Sequence, residues 1–166
     1  MEAKSLAAQL REAIGKTDPR HVAILGVGNV ARGDDGFGPS VAQALVGRTG
    51  ALVADGGAVP ENELPRLARL GTEVVIFVDA VRSGRPPGTL RLMGPERLRQ
   101  DDMSTHSASL AVGAEFLRAA CGARPLLLAA EPADCSLGSE MSDEVSRAVE
   151  KAVETLVEAL KIPESG

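Results

Sequence analysis

Val22-Ala23-Ile24-Leu25-Gly26-Val27-Gly28-Asn29-Val30-Ala31-Arg32-Gly33-Asp34-Asp35-Gly36-Phe37-Gly38-Pro39 joins a short apolar run to the start of an amphipathic helix. Val22 to Val27 has no polar position, as in a strand buried on both faces of a parallel sheet. Beyond the turn, Val41, Ala42, Leu45 and Val46 fall on one side of a helix over 38–47. The glycine-rich turn carries adjacent carboxylates where a nucleotide-binding loop carries amides alone. That pairing points to metal or peptide chemistry.

The same alternation repeats outward. Leu6, Leu10 and Ile14 predict an amphipathic helix over 3–14, closed by Gly15. Ala51 to Ala54 predicts a second strand ending at Asp55-Gly56-Gly57, and a helix follows over 61–70, with Pro65 tolerable only in its first turn. Glu73 to Val78 is the strongest strand signal and delivers Asp79 at its carboxyl end. Thr89 to Leu92, after Pro86-Pro87-Gly88, reads as an antiparallel or edge strand. Helices over 107–120 and 143–160 flank a last strand, Leu126 to Ala129. The expected fold is α/β: a three-layer, open, mostly parallel sheet of about five strands, one antiparallel, with helices on both faces. Length 166 suits a single domain over 1–166, with residues 1–20 as an N-terminal helical segment.

Composition removes several activities. There is no Trp or Tyr and the net charge is -5, which leaves neither base-stacking platforms nor a basic footprint for nucleic acid. No apolar stretch approaches the roughly 20 residues of a membrane span. Cys121 and Cys135 form no C-x-x-C pair, so a reducing, cytoplasmic setting without disulfides is expected.

Ligands of open parallel sheets collect at the carboxyl ends of the strands. Asp35, Asp55 and Asp79 all follow strands at that edge, and His106, in Ser104-Thr105-His106-Ser107, enters it from a loop. Asp34 and Asp35 each suit the positive end of the following helix, a favourable placement by up to about 1 kcal/mol. One acid suffices there, which leaves the other for chemistry. Asp79 closes a largely apolar strand, where a carboxylate needs a partner or the solvent edge. His21 precedes the first strand, at the far edge, and reads as structural or solvent-exposed. Two carboxylates and one imidazole suit a borderline divalent metal and leave coordination positions open.

A rival reading exists. Gly26-x-Gly28-x-x-Ala31, with Asp55 ending the next strand, satisfies a relaxed dinucleotide fingerprint. Against it, Asp34 and Asp35 stand where pyrophosphate would dock, a repulsion of about 1 kcal/mol in water and several times more when partly buried. Gly15-Lys16-Thr17 imitates the end of a phosphate loop but lacks the leading glycine and precedes the first strand.

Gly33-Asp34-Asp35-Gly36-x-Gly38-Pro39, Asp55-Gly56-Gly57 with Pro60-Glu61-Asn62, Val78-Asp79-Ala80, Pro87-Gly88 and Thr105-His106 together resemble the [NiFe]-hydrogenase maturation endopeptidases, and most nearly their formate-hydrogenlyase-type branch. The resemblance runs from Val22 to about Leu160. It implies an aspartic-type peptidase that removes the C-terminal extension of a hydrogenase large-subunit precursor after nickel insertion. It further implies Asp35, Asp79 and His106 as metal ligands, with Asp35 and Asp79 catalytic and the nickel supplied by the precursor instead of permanently bound. Gly28, Asn29, Asp55, Gly56, Gly57 and Thr105 are the expected substrate-binding positions. A dinucleotide- or nucleotide-binding protein and a non-catalytic interaction module stand as the alternatives.

Overall fold

The computed structural model describes residues 3–94 and 106–161. Five strands are hydrogen-bonded in the order β2-β1-β3-β5-β4: β1 (Val22–Val27), β2 (Leu52–Gly57), β3 (Val74–Ala80), β4 (Leu90–Met93) and β5 (Arg124–Ala130). All neighbours run parallel except β4, which pairs antiparallel with β5 at the sheet edge. The expected mostly parallel sheet is therefore present, with its single antiparallel strand.

Alternation along the strands makes two cores, because successive side chains leave opposite faces of a pleated strand. Val22, Ile24, Val74, Ile76, Val78, Leu126 and Leu128 face one side. They meet α1 (Leu6–Ile14), α2 (Phe37–Leu45) and α5 (Asp143–Ala159) through Leu10, Phe37, Val41, Val145 and Leu156. Ala23, Leu25, Val75, Phe77 and Leu127 face the other, against α3 (Leu64–Arg69) and α4 (Ser107–Cys121) through Leu67, Leu110 and Leu117. Leu10 and Ile14 are buried in the first core, so the N-terminal helix is built into the domain.

Two elements depart from expectation. The helix expected over 61–70 is a 3-10 turn, Pro60–Glu63, followed by the short α3. Pro65, with no N–H to give, occupies the start of α3, so the α-helical ladder begins only there. Strand β2 runs beyond Ala54 through Asp55 to Gly57, because Asp55 and Gly57 pair with Gly26 and Val27 across a bulge.

The β1–β3 pairing positions the site. From β1 the chain crosses by α2 to β2 on one side, while β3 pairs with β1 on the other, so the carboxyl ends of β1 and β3 form a topological switch point. The start of α2 lies directly on those ends. A Cβ on Gly38 would fall 2.2 Å from the Val78 carbonyl and 2.3 Å from that of Val27, so only glycine permits the approach.

Candidate functional site

Asp35 lies in a 3-10 turn, Gly33–Gly36, between β1 and α2, and is 5% exposed. Asp79, fully buried, shares with Val75 and Phe77 the face of β3 that looks toward α4. His106 occupies the N-cap position of α4 but makes no capping bond with its side chain. Its ring turns to Asp35 instead, with Nε2 at 3.3 Å from Oδ2. One ligand atom from each of Asp35, Asp79 and His106 lies within 4.8 Å of the others. Three residues far apart in sequence thus share one point at the carboxyl edge.

The electrostatics tie the three together. Burial opposes ionisation of Asp35, but the His106 hydrogen bond, the Asn29 N–H at 2.9 Å and the charges of His106 and Arg32 outweigh it, holding its pKa below the usual carboxylate value. The bonded Asp35 carboxylate raises the pKa of His106 against the opposing effect of burial, with the charges of Asp79 and Glu61 adding to the rise. The donor set fits a divalent ion. Ligand atoms within 4.8 Å of one another can face a single ion, and bonds of about 2.0–2.2 Å from carboxylate and imidazole would draw them inward.

Asp34 goes elsewhere. Its carboxylate accepts the N–H groups of Ala133 (2.8 Å), Asp134 (3.1 Å) and Ser142 (2.7 Å) and the Ser142 hydroxyl (2.9 Å). The second acid of the pair is a structural anchor that ties the turn after β1 to the loop before α5.

The other expected positions are distributed differently. Asn29 gives its N–H to Asp35 and accepts from the Ala31 N–H with its side chain, so it shapes the turn around the cluster. Gly28 lies against the chain itself: a Cβ there would sit 1.9 Å from the Asp35 carbonyl oxygen, and its N–H bonds the Gly57 carbonyl. The space a pyrophosphate would need over this glycine is filled by protein, which removes the dinucleotide reading. Asp55 is exposed and bonds the Gly57 N–H and Gln43, outside the trio. Gly56 packs on Leu25 and Pro60, whereas Gly57 borders open space with a left-handed φ of 54°. Thr105 lies outside the described residues. His21 pairs with Glu73 at the opposite edge.

Glu61 was not among the expected site residues. Its carboxylate is hydrogen-bonded by Ser109, in the first turn of α4, and its charge bears on His106. The signal available was Glu61 itself, directly after the strand-end glycines and Pro60.

Comparison with known proteins finds relatives of this chain and of its fold. The hydrogenase maturation protease family HycI matches residues 41–159. The hydrogenase 3 maturation protease of Escherichia coli K12 is 36% identical over 90 residues, 52% of this chain and 58% of that protein, so the match spans little more than half of the curated relative. The crystal structure of a [NiFe] hydrogenase maturation protease HycI from Thermococcus kodakarensis is similar with a TM-score of 0.83 at 27% identity, covering 93% of this chain and 99% of that one. The solution structure of the endopeptidase HycI from Escherichia coli gives 0.70 at 28% identity, over 80% of this chain and 86% of that one. With its switch-point cluster, its mixed sheet and these matches, the chain belongs to the hydrogenase maturation protease family.

Proposed function

We propose that this protein is an endopeptidase that removes the C-terminal extension of a [NiFe]-hydrogenase large-subunit precursor once nickel has been inserted, acting in the cytoplasm with Cys121 and Cys135 as free thiols. The observation that carries the reading is the convergence of Asp35, Asp79 and His106 at the switch point. The nickel is part of the substrate: it arrives in the precursor and is inspected by the open carboxylate and imidazole ligands. When so bound it supplies a Lewis acid beside the scissile carbonyl.

The chain's own residues do the rest. The Asn29 N–H and the His106 ring fix Oδ2 of Asp35, so that the carboxylate keeps one orientation. Asp35 or Asp79 takes the proton of the attacking water as general base, the aspartic-type role. Buried β3 holds Asp79 in register with Ala129 of β5, which removes freedom from the second acid. Open space over Gly57 offers room for an extended substrate backbone, with Asp55 beside it.

The test is incubation of purified protein with nickel-loaded and nickel-free precursor, following loss of the extension by mass. Cleavage confined to the loaded precursor is the expected result. Equal cutting of both would overturn the checkpoint.

A further inference from the structure

α1 and α5 are each closed at their starts by their own serine: Ser5 accepts the Ala8 N–H at 3.1 Å, and Ser142 accepts the Val145 N–H at 3.3 Å. α4 begins differently. His106 holds its N-cap position with the ring turned to Asp35, and no acidic residue of its own first turn answers the positive end of the helix. The acid comes from another part of the chain. Glu61, in the 3-10 turn Pro60–Glu63 after β2, accepts the hydroxyl of Ser109 in that first turn and also its own main-chain N–H, so its carboxylate is held in one place. A carboxylate beside the first turn is favoured by the same field that a capping side chain meets.

This bond stands on a packed frame. The turn Pro60–Glu63 lies against α4, and Leu64, next in the chain, covers Gly113 of α4, where a Cβ would fall 3.4 Å from the Leu64 Cδ1. Leu64 and Leu110 belong to one buried core. At the other end of the turn Pro60 is buried, its Cα 3.0 Å from where a Cβ on Gly56 would stand. Glu61 itself is exposed, so the core does not require it. It is nonetheless carried on a fixed element between the end of β2 and the start of α4. The Leu110 N–H bonds the His106 carbonyl at 2.9 Å, so whatever fixes this first turn also fixes the main chain from which the His106 ring reaches Asp35.

We propose that Glu61 is a positioning residue for the cleavage reaction: bonded to Ser109, it holds the start of α4 in place of a cap and so leaves the His106 side chain for Asp35. The proposal rests on the peptidase reading for the reaction concerned. Because Gly57 and Glu61 lie on one short segment, the room for a substrate backbone and the place of the imidazole are set by the same element.

The test compares Glu61→Ala, Glu61→Gln and Ser109→Ala with Glu63→Gln, a residue of the same turn that is bonded instead to Arg66 of α3. His21 and His106 are the two histidines of the chain, so ring resonances of the free protein at a single pH report on His106, with His21 at the opposite edge as internal reference. Glu61→Ala and Ser109→Ala should shift the His106 ring signals, leave those of His21 in place and speed hydrogen exchange of the Leu110 amide about fivefold, the scale of a lost helix cap. Glu61→Gln, which keeps an oxygen for the Ser109 hydroxyl, should return both close to wild type. On nickel-loaded precursor the two alanine variants should lower kcat/KM by about tenfold or more, the scale of losing an outer partner of a metal ligand. Combining them should cost no more than either alone, because they remove one interaction. Unchanged His106 signals in Glu61→Ala, a glutamine variant as impaired as alanine, or equal losses in Glu63→Gln would overturn the positioning role. If wild-type protein leaves the precursor uncut while His106 still answers to Glu61, the peptidase reading falls and the positioning of the ring stands.

Discussion

Ser142 gives both its backbone N–H and its hydroxyl to Asp34 while the same hydroxyl oxygen accepts the Val145 N–H at 3.3 Å, so one side chain caps α5 and fastens it to the turn that carries Asp35. The buried carboxylate of Asp34 thereby sets where its neighbour stands. Two adjacent acids have divided the work: one holds the loops, the other joins Asp79 and His106.

Asp34→Ala should therefore destabilise the protein by about 2–4 kcal/mol, because several partly buried donors lose their acceptor at once. Asp34→Asn, which keeps one oxygen, should cost less. Urea unfolding of the three proteins checks the order; an unchanged midpoint for the alanine variant would contradict the anchoring role.

Asp35→Asn or Asp79→Asn removes a negative charge from the proposed ligand set at nearly constant shape. Processing should fall by more than the roughly 10–100-fold that follows loss of an outer partner of a metal ligand, with the circular dichroism spectrum preserved. His106→Ala should lower cleavage comparably, since it removes the trio's imidazole. Wild-type rates in Asp79→Asn would rule out its part in the cluster.

Gly38→Ala should cost more than the about 1–3 kcal/mol of ordinary overpacking, because the new methyl group meets main-chain atoms of β1 and β3 that have nowhere to go. Gly50→Ala, whose nearest contact is Pro19 at 3.6 Å, is the matched control. Thermal unfolding separates them; equal melting temperatures would show that the helix start can back away from the sheet.

Glu131 offers a test in pH. The side chain is 4% exposed. Burial pushes its pKa up, but the hydroxyl and N–H of Ser83 and the N–H of Arg85 outweigh this, leaving it below its ordinary 4.5. A carboxylate whose folded pKa is depressed stabilises the fold fully above its unfolded pKa, and loses that contribution as pH falls through the folded value. Glu131→Gln should thus be less stable than wild type by about 1–3 kcal/mol at neutral pH. The gap should close as pH drops below 4.5, as measured by denaturant titration across that range. A gap that widens toward acid would reverse the sign argued here.

Periodicity made the layers legible. Val22–Val27 is a strand at its expected bounds, and the helix expected over 107–120 is Ser107–Cys121. Apolar runs and helical stripes report local geometry, and local geometry decided most of this fold. What escaped was non-local or made of main chain. The partners of Asp34 lie about a hundred positions away, at Ala133, Asp134 and Ser142, and no spacing rule connects them. Gly28 looked like a ligand glycine because bareness carries no label of what approaches it; the approaching group is the Asp35 carbonyl. Convergence of Asp35 and Asp79 followed from the strand-end rule, whereas the turn of His106 toward Asp35 needed the third dimension.

Asp79 belongs to β3, whereas Asp35 stands in the 3-10 turn that follows β1, the hydrogen-bonded neighbour of β3. The place of Asp35 relative to Asp79 is therefore set by how that turn folds back on the strand ends, with the Asp35 carbonyl against Gly28 and the Asn29 N–H on its carboxylate. With Gly38 seated against the Val27 and Val78 carbonyls, the main chain beneath the turn has no room to sink toward the sheet. Engineering a different spacing between the two carboxylates would then have to change the side chains themselves, for example by Asp35→Glu, because the main chain beneath the turn is already in contact.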